Sequence, residues 1–287
     1  MTACTATAVL WCHGGPGSRL EPAHLAPEAR EAGLRIIGID RPGYGLSTPQ
    51  PGRTIAGWVP EALAISDHLG IEQFVTVGTS TGGAFALAVA ALAPERVLAV
   101  VACCSMTDMH GPEGRSTMSQ PHTHAVWDGL NRVASLAAAI EAHGEGGGKV
   151  RGGGMVGALT PSDLALFRDP GLMKDATAAF PAKFAQGLDG YTEDRLADGP
   201  GSVTCDFASI QFQSLSSTGE ATAWSTSSTP ITPLNSSRTR NWSLSITPVQ
   251  ATSSGAVSRI LKSANAILAD GYACSRMARP VYRARVP

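Results

Sequence analysis

The sequence lacks a surplus of positive charge, a long apolar run and a metal-binding cysteine pattern, and each absence excludes a class of function. Its 22 Lys and Arg residues are balanced by 23 Asp and Glu residues, and the net charge of -1 argues against a nucleic-acid partner. No apolar run approaches the roughly 20 residues that span a bilayer, so no membrane segment is expected. The six cysteines show no zinc or redox spacing. We therefore expect a cytoplasmic protein with reduced thiols, and nothing implies a cofactor or a metal.

The C-terminal part has no histidine and almost no acidic residues. No histidine follows His143, and the segment 201–287 contains three carboxylates in all: Asp206, Glu220 and Asp270. Within this segment, residues 212–254 hold 20 Ser and Thr among 43 residues and no apolar run of strand length. Such a composition is typical of a disordered linker. We therefore predict an aberrant, largely irregular region over 201–287.

One stretch organises the rest of the chain. The β-rich residues 74–78 run into Gly-x-Ser-x-Gly and continue as an Ala-rich helix. This context predicts a nucleophile elbow, with Ser80 strained above the carboxyl end of a parallel sheet and with Gly78 and Gly82 where any Cβ would collide. The backbone N–H of Thr81, first in the helix, is then placed to bind a developing oxyanion. The alternative interpretation is a Gly-rich turn that merely starts a helix.

Strands and helices alternate on both sides of this stretch. Apolar runs predict further strands at residues 9–12, 34–40 and 97–104, and helical spacing appears at residues 21–32 and 55–69. The alternation predicts parallel β-α units and an α/β fold with a doubly wound, mostly parallel sheet. The first strand ends in His13-Gly-Gly-Pro-Gly17, whose glycine backbone can approach a ligand closely and offer a free N–H. Gly15 is our candidate for a second oxyanion donor, although a simple tight turn is equally compatible.

Three motifs together resemble one superfamily. They are His13-Gly-Gly-Pro-Gly17, Asp40-Arg-Pro-Gly-Tyr-Gly-Leu-Ser47 and Gly78-Thr-Ser-Thr-Gly-Gly83. In this order and spacing they resemble the α/β-hydrolases, in the branch with a His-Gly-Gly-Pro-Gly loop and a helical cap. The resemblance covers residues 9 to about 205. It implies Ser80 as nucleophile and an oxyanion hole formed by Gly15 and Thr81. Because dehalogenase and epoxide-hydrolase relatives carry Asp at this place, Ser80 implies ester or amide hydrolysis.

The resemblance also implies a division of the chain. We predict an incomplete hydrolase core over residues 1–108, without the family's first two strands, and a helical cap over 109–200 that closes over the acyl site. The clearest cap helices are predicted at 127–143 and 161–184. His122 and His124 lie near the start of the cap, where a solvated loop is favoured over a metal site.

Serine catalysis needs a general base and an acid that orients it, and the family places both downstream of the cap. Downstream of the predicted cap this sequence has no histidine, and its only carboxylates are Asp206, Glu220 and Asp270, none in the family's setting. Asp108, which ends the fourth predicted strand, is one candidate acid. His110, His122 or His124 would have to reach Ser80 from the cap, and nothing in their spacing supports that arrangement.

A change of reading frame is the explanation that we favour over a native linker. In the shifted frame, each codon consists of the last base of one residue's codon and the first two bases of the next residue's codon. Such codons permit His-Gly-x-Gly-Asp across residues 217–222. About thirty residues later the same offset permits Gly-His-Phe, across residues 250–253. The family keeps its acid and its base in such settings. We predict that the nucleotide sequence, read one base earlier from near codon 212, encodes Asp at the 221/222 junction and His at 251/252.

Three functions remain open at this point. The first is a serine hydrolase of small esters or amides, and prolyl aminopeptidases, which share the His-Gly-Gly-Pro-Gly loop, keep a peptidase specificity open. The second is a non-catalytic pseudo-hydrolase that binds a small apolar ligand under the cap. The third is an inactive, truncated product. The expected partner is a small-molecule substrate, with no nucleic acid and no membrane, and the sequence does not predict an oligomeric state.

Overall fold

The computed structural model describes residues 6–103, 105, 132–145, 168–198 and 205. Within them, four strands form one parallel sheet in the order β2-β1-β3-β4. The strands are β1 (Thr7–Cys12), β2 (Leu34–Ile39), β3 (Phe74–Thr79) and β4 (Val97–Cys103). The four predicted strands and their parallel arrangement are therefore confirmed.

Helices cover both faces of this sheet, as expected for apolar parallel strands. On one face, α1 (Ala26–Glu31) packs its buried Ala29 with Val9 and Trp11 of β1. On the other face, α2 (Trp58–His68) and α3 (Thr81–Leu92) pack against the alternate residues of the same strand, Ala8, Leu10 and Cys12. The period-two alternation of β1 thus supplies both halves of the core. The doubly wound sheet predicted from the sequence is confirmed.

Three helix starts differ from the prediction. The helix predicted over 161–184 begins at Pro170, after its N-cap Asp169. The segment 21–32 is divided into a 3-10 helix (Glu21–Leu25) and α1, because Pro27 has no N–H with which to continue an α-helix across the junction. The helix predicted from residue 55 begins at Trp58, since residues 55–59 first turn through bonds from Trp58 N–H to Ile55 and from Val59 N–H to Ala56.

Three helices follow the sheet in the described part of the chain. They are α4 (Arg132–His143), α5 (Pro170–Lys183) and α6 (Asp189–Asp198). The Asp169 carboxylate caps α5 by accepting from the N–H groups of Gly171 at 2.8 Å and Leu172 at 3.1 Å. Helix α6 packs on α4 and also reaches the start of α3. None of the helices described is long and apolar enough to cross a bilayer.

Several predicted features lie outside the described residues. Among them are Asp108, His110, His122, His124 and the whole of 206–287. The division into core, cap and aberrant C-terminal region therefore stays a prediction.

Candidate active site

Ser80 stands at the turn between β3 and α3 with a backbone conformation that few residues adopt. Its φ is 51° and its ψ is -124°, and no other described non-glycine residue has a positive φ. A Cβ on Gly78 would collide with the Gly82 carbonyl, and a Cβ on Gly82 would collide with the carbonyls of Cys12 and His13. The strained turn and the need for both glycines agree with the sequence analysis. The half-buried Ser80 thus lies at the carboxyl end of β3, beside the end of β1.

The loop after β1 is held by side chains on two sides. The Gly14 N–H donates to the Glu21 carboxylate, at 3.0 Å from Oε2. On the opposite side, the Gly14 carbonyl accepts from His13 Nδ1 at 2.7 Å and from Arg41 Nη2 at 3.1 Å. Glu21 also accepts from Thr79 Oγ1 at 2.5 Å, which ties this loop to the end of β3. The first glycines of the His-Gly-Gly-Pro-Gly loop are therefore fixed beside the elbow.

The structure brings the two predicted oxyanion donors next to each other. A Cβ built on Gly15 would lie 3.1 Å from Thr81 Oγ1. Thr81 is the first residue of α3, so its N–H has no acceptor within the helix. No group in the described part of the chain accepts a hydrogen bond from the Gly15 N–H. Two backbone donors thus remain beside Ser80.

His13 precedes these glycines, but both of its ring nitrogens make hydrogen bonds that hold the loop. The ring is fully buried, its Nδ1 faces the Gly14 carbonyl and its Nε2 accepts from the Arg41 N–H at 3.2 Å. Burial, reinforced by the Arg41 charge, holds the His13 pKa well below its ordinary value. A neutral imidazole with both nitrogens engaged is not available as a general base.

A buried ion cluster lies behind this loop. Asp194 of α6 receives Arg41 Nη2 at 2.6 Å, Arg53 Nη2 at 2.5 Å and the Tyr44 hydroxyl at 2.7 Å. The side chains of Arg41 and Asp194 are fully buried. Burial alone would raise the Asp194 pKa, but the two guanidinium groups outweigh it and hold that pKa well below its usual range. The carboxylate is therefore ionised and fully paired.

A second arginine of α6 reaches the elbow itself. Arg195 Nη2 donates to Thr81 Oγ1 and forms an ion pair with Asp198 at 2.6 Å. Its guanidinium carbon lies 4.8 Å from the centre of the Tyr191 ring. Both side chains border Gly15: a Cβ there would lie 3.2 Å from Arg195 Nη2 and 3.5 Å from Tyr191 Cδ2. Helix α6 thus covers the two candidate oxyanion donors.

Sequence reasoning missed three of these residues: Arg41, Asp194 and Arg195. The run Glu193-Asp194-Arg195 indicated that at least one charged side chain of this helix faces the protein interior, because three consecutive residues on a helix cannot all face the same side. Their buried partners could not be read from the sequence, since they lie 114 to 153 residues away along the chain.

The structure describes no positions for the remaining predicted site residues. Asp108, His110, His122 and His124 lie outside the described residues, so the candidate acid and bases stay predictions. Across the described ranges, no group of three or more His, Cys, Asp or Glu side chains is arranged to hold a metal. A cavity of about 450 Å³ beside α6 is lined by Arg53, Arg132 and Glu193 among others, and Ser80 is not among its lining residues.

Comparison with known proteins gives matches to hydrolases. Residues 7–132 match the family described as alpha/beta hydrolase fold. The 2-hydroxymuconate semialdehyde hydrolase of Pseudomonas putida is 40% identical over 95 residues, which are 32% of this chain and 34% of that protein. Epoxide hydrolase B of Mycobacterium tuberculosis is 34% identical over 96 residues, 32% of this chain and 27% of that protein.

Solved structures give a broader but weaker likeness. An epoxide hydrolase from an endophytic Streptomyces superposes with a TM-score of 0.47 at 23% identity, covering 68% of this chain and 66% of that chain. The curated relatives named above align with this chain over about a third of their own length or less.

Proposed function

We propose that this chain, whose residues 7–132 match the alpha/beta hydrolase fold, is a serine hydrolase of small carboxylic esters or amides. The observation that carries the proposal is the position of Ser80. Its positive φ at the carboxyl end of β3 supports this role, as does the proximity of Gly15 to Thr81, whose N–H groups we propose as oxyanion donors. Prolyl aminopeptidase-like cleavage belongs to the same proposal, because it is also acyl transfer.

The identity of residue 80 separates this proposal from the epoxide chemistry named for several relatives. Epoxide hydrolases of the family carry Asp at the nucleophile position, and a serine cannot replace the carboxylate in that reaction. A serine alkoxide is suited instead to attack on a carbonyl carbon. The similarity to a semialdehyde hydrolase at 40% identity is compatible with such a carbonyl substrate.

The proposed reaction proceeds in two acyl-transfer steps. Ser80 Oγ forms a bond to the carbonyl carbon as its proton passes to a base, and the Gly15 and Thr81 N–H groups bind the resulting oxyanion. Collapse of this intermediate breaks the bond to the leaving alcohol or amine, which takes up a proton. Water then hydrolyses the acyl-enzyme, releases the carboxylic acid and restores Ser80.

In the offset reading frame the base is the histidine predicted at the 251/252 junction, where this chain has Ala251 and Thr252. His13 is excluded, because both of its ring nitrogens are engaged by the loop that it supports. Without the offset-frame histidine, Ser80 attacks unassisted and its proton passes to solvent, so we expect turnover that depends on Ser80 but is several orders of magnitude slower than with a complete triad.

The test is hydrolysis of p-nitrophenyl acetate by the purified chain and by Ser80→Ala. We expect slow turnover and fluorophosphonate labelling, both abolished by Ser80→Ala. The matched control is Ser66→Ala, which removes a buried hydroxyl that donates to the Ala62 carbonyl within α2. Labelling that persists in Ser80→Ala, or turnover unchanged by it, would contradict the proposal.

One observation supports a second candidate, a non-catalytic ligand-binding protein. Arg195 and Tyr191 lie close against Gly15 and occupy space beside the oxyanion donors. In that case a small apolar ligand would bind with a measurable heat in calorimetry, while p-nitrophenyl acetate would be hydrolysed no faster than by Ser80→Ala.

A further inference from the structure

We infer that Arg41 is a positioning residue that directs the Gly15 N–H toward the oxyanion, and that Asp194 of α6 holds Arg41 in place. The inference rests on the proposed function of Gly15. It concerns residues that do not touch the substrate, since Arg41 and Asp194 lie behind the loop and are fully buried.

The first step follows from the geometry of a single peptide group. The bond between Gly14 and Gly15 is trans, and in a trans peptide the carbonyl oxygen and the following N–H point in opposite directions. The Gly14 carbonyl is fixed by Arg41 Nη2 at 3.1 Å and by His13 Nδ1 at 2.7 Å. The Gly15 N–H must therefore point away from Arg41, and Gly15 itself adjoins Thr81, since a Cβ on Gly15 would lie 3.1 Å from Thr81 Oγ1.

The second step is that Arg41 holds two successive carbonyls at once. Its Nη1 donates to the His13 carbonyl while its Nη2 donates to the Gly14 carbonyl. Its own backbone N–H also donates to His13 Nε2, so one residue fixes the ring and both carbonyls. The planar guanidinium suits this task because its donors keep a fixed spacing, whereas a lysine ammonium acts as a point charge.

The third step is the anchoring of the guanidinium itself. Asp194 accepts from Arg41 Nη2 at 2.6 Å and from Nε at 3.4 Å. The guanidinium carbon also lies over the Phe85 ring of α3, 4.5 Å from its centre. The position of α6 is thus transmitted through Asp194 and Arg41 to the loop that carries Gly15.

The molecule contains a matched control for this inference. Arg53 binds the same Asp194 carboxylate at 2.5 Å and donates to the Gly190 carbonyl at 2.8 Å. It makes no hydrogen bond to residues 13–15 among the described contacts. Loss of either arginine weakens the ion cluster, but only loss of Arg41 releases the two loop carbonyls.

The experiment compares Arg41→Lys with Arg53→Lys in the full chain, using Ser80-dependent p-nitrophenyl acetate hydrolysis. We expect Arg41→Lys to lower kcat by about 10- to 100-fold with KM little changed, because loss of an oxyanion donor lowers kcat by about 10²–10³. Arg53→Lys should change kcat less than about 3-fold at a similar loss of Tm, since no donor is misdirected. An equal loss of kcat in both variants, or an effect on KM alone, would overturn the inference.

A readout that needs no catalysis separates this inference from the proposed function. In glycine-¹⁵N-labelled protein, the Gly15 amide resonance can be identified by its loss in Gly15→Ala. It should move in Arg41→Lys and stay in place in Arg53→Lys. If the parent chain shows no Ser80-dependent turnover, the proposed function fails, and the resonance alone decides whether Arg41 sets the Gly15 amide.

Arg41→Gln serves if Arg41→Lys does not fold. It removes the guanidinium that donates to the His13 and Gly14 carbonyls and keeps a polar side chain. The Gly15 resonance should move as it does in Arg41→Lys. An unchanged resonance in a folded Arg41→Gln would overturn the inference.

Discussion

Helices α3 and α6 are both almost completely buried, and they are buried for opposite reasons. Helix α3 is an apolar run of alanine, valine, leucine and phenylalanine, and its residues from Thr81 to Ala91 are all shielded from solvent. Helix α6 reads Asp-Gly-Tyr-Thr-Glu-Asp-Arg-Leu-Ala-Asp, yet most of its residues are buried as well. The first follows from composition, because burial of apolar surface is favourable wherever it occurs. The second depends on specific partners on other elements, without which buried charges are strongly unfavourable.

The largest expected effect concerns the chemistry at the start of α3. If the nucleotide sequence read one base earlier from near codon 212 encodes Asp at 221/222 and His at 251/252, restoring that frame should raise esterase activity by several orders of magnitude. The measurement is p-nitrophenyl acetate turnover by the restored chain, with Ser80→Ala in the same background as control. Any other residues at those two junctions would leave the linker interpretation standing.

The difference between α3 and α6 is tested most directly by removing the carboxylate of Asp194, whose ion pairs hold α6 in its buried position. Asp194→Asn keeps the shape of the side chain but leaves Arg41 and Arg53 without their carboxylate. Because uncompensated buried charges are costly, we expect a loss of about 3–5 kcal/mol in the free energy of unfolding, measured by urea denaturation.

The control for this substitution is an ion pair at the surface. Asp67→Asn breaks the contact of Asp67 with Arg96 at 2.7 Å, where the Asp67 side chain is 65% exposed. Exposed pairs contribute about 1 kcal/mol or less. Equal losses in the two variants would show that α6 is held by apolar contacts and not by its ion pairs.

A smaller effect is expected from pH at the contact between α4 and α6. His143 packs edge-on against Tyr191, with ring centres 4.7 Å apart, and in the described part of the chain neither ring nitrogen has a hydrogen-bond partner. Burial, followed by the charge of Arg195, lowers its pKa from 6.5 to about 4. The unfolded chain therefore binds more protons than the folded chain between these values, and stability falls as the pH decreases from 6.5 toward 4.

The predicted loss is about 2–3 kcal/mol across that pH interval, from roughly 1.4 kcal/mol per unit of pKa. His143→Leu should remove this component from urea denaturation curves recorded at several pH values. His13 also has a lowered pKa and remains in both proteins, so the difference between them isolates His143. Parallel pH profiles for parent and variant would contradict the prediction.

The smallest effect is expected at the elbow itself. Glycine adopts a positive φ without the steric penalty of a side chain, and strained residues cost about 1–3 kcal/mol each. Ser80→Gly should therefore raise the free energy of unfolding by about 1 kcal/mol, while Ser80→Ala should not. A loss of stability in Ser80→Gly would mean that the serine side chain supports the fold.

The sequence predicted those parts of the molecule whose cause is local. The strand β3, the turn at Ser80 and the helix α3 follow from residues that are adjacent in the chain, and all three are present in the structure. The parallel sheet follows from the alternation of strands and helices. These features need no knowledge of distant contacts.

The parts that sequence reasoning missed have their cause far away in the chain. Asp194 is buried because Arg41 and Arg53 neutralise it, and no periodicity connects residues 141 or 153 positions apart. The division of residues 21–32 into two helices was recoverable, because Pro27 marks the junction. The roles of Ser80, Gly15 and Thr81 as catalytic groups remain a proposal until turnover is measured.

The conformation of Ser80 also bears on the history of this chain. A serine held at φ 51° costs the fold stability that a glycine at the same place would not. If Ser80 is the nucleophile that we propose, this cost is offset by the chemistry of its hydroxyl and by nothing in the fold. A serine at this place is thus what selection for that hydroxyl would leave behind, while a chain never selected for it would be free to carry glycine.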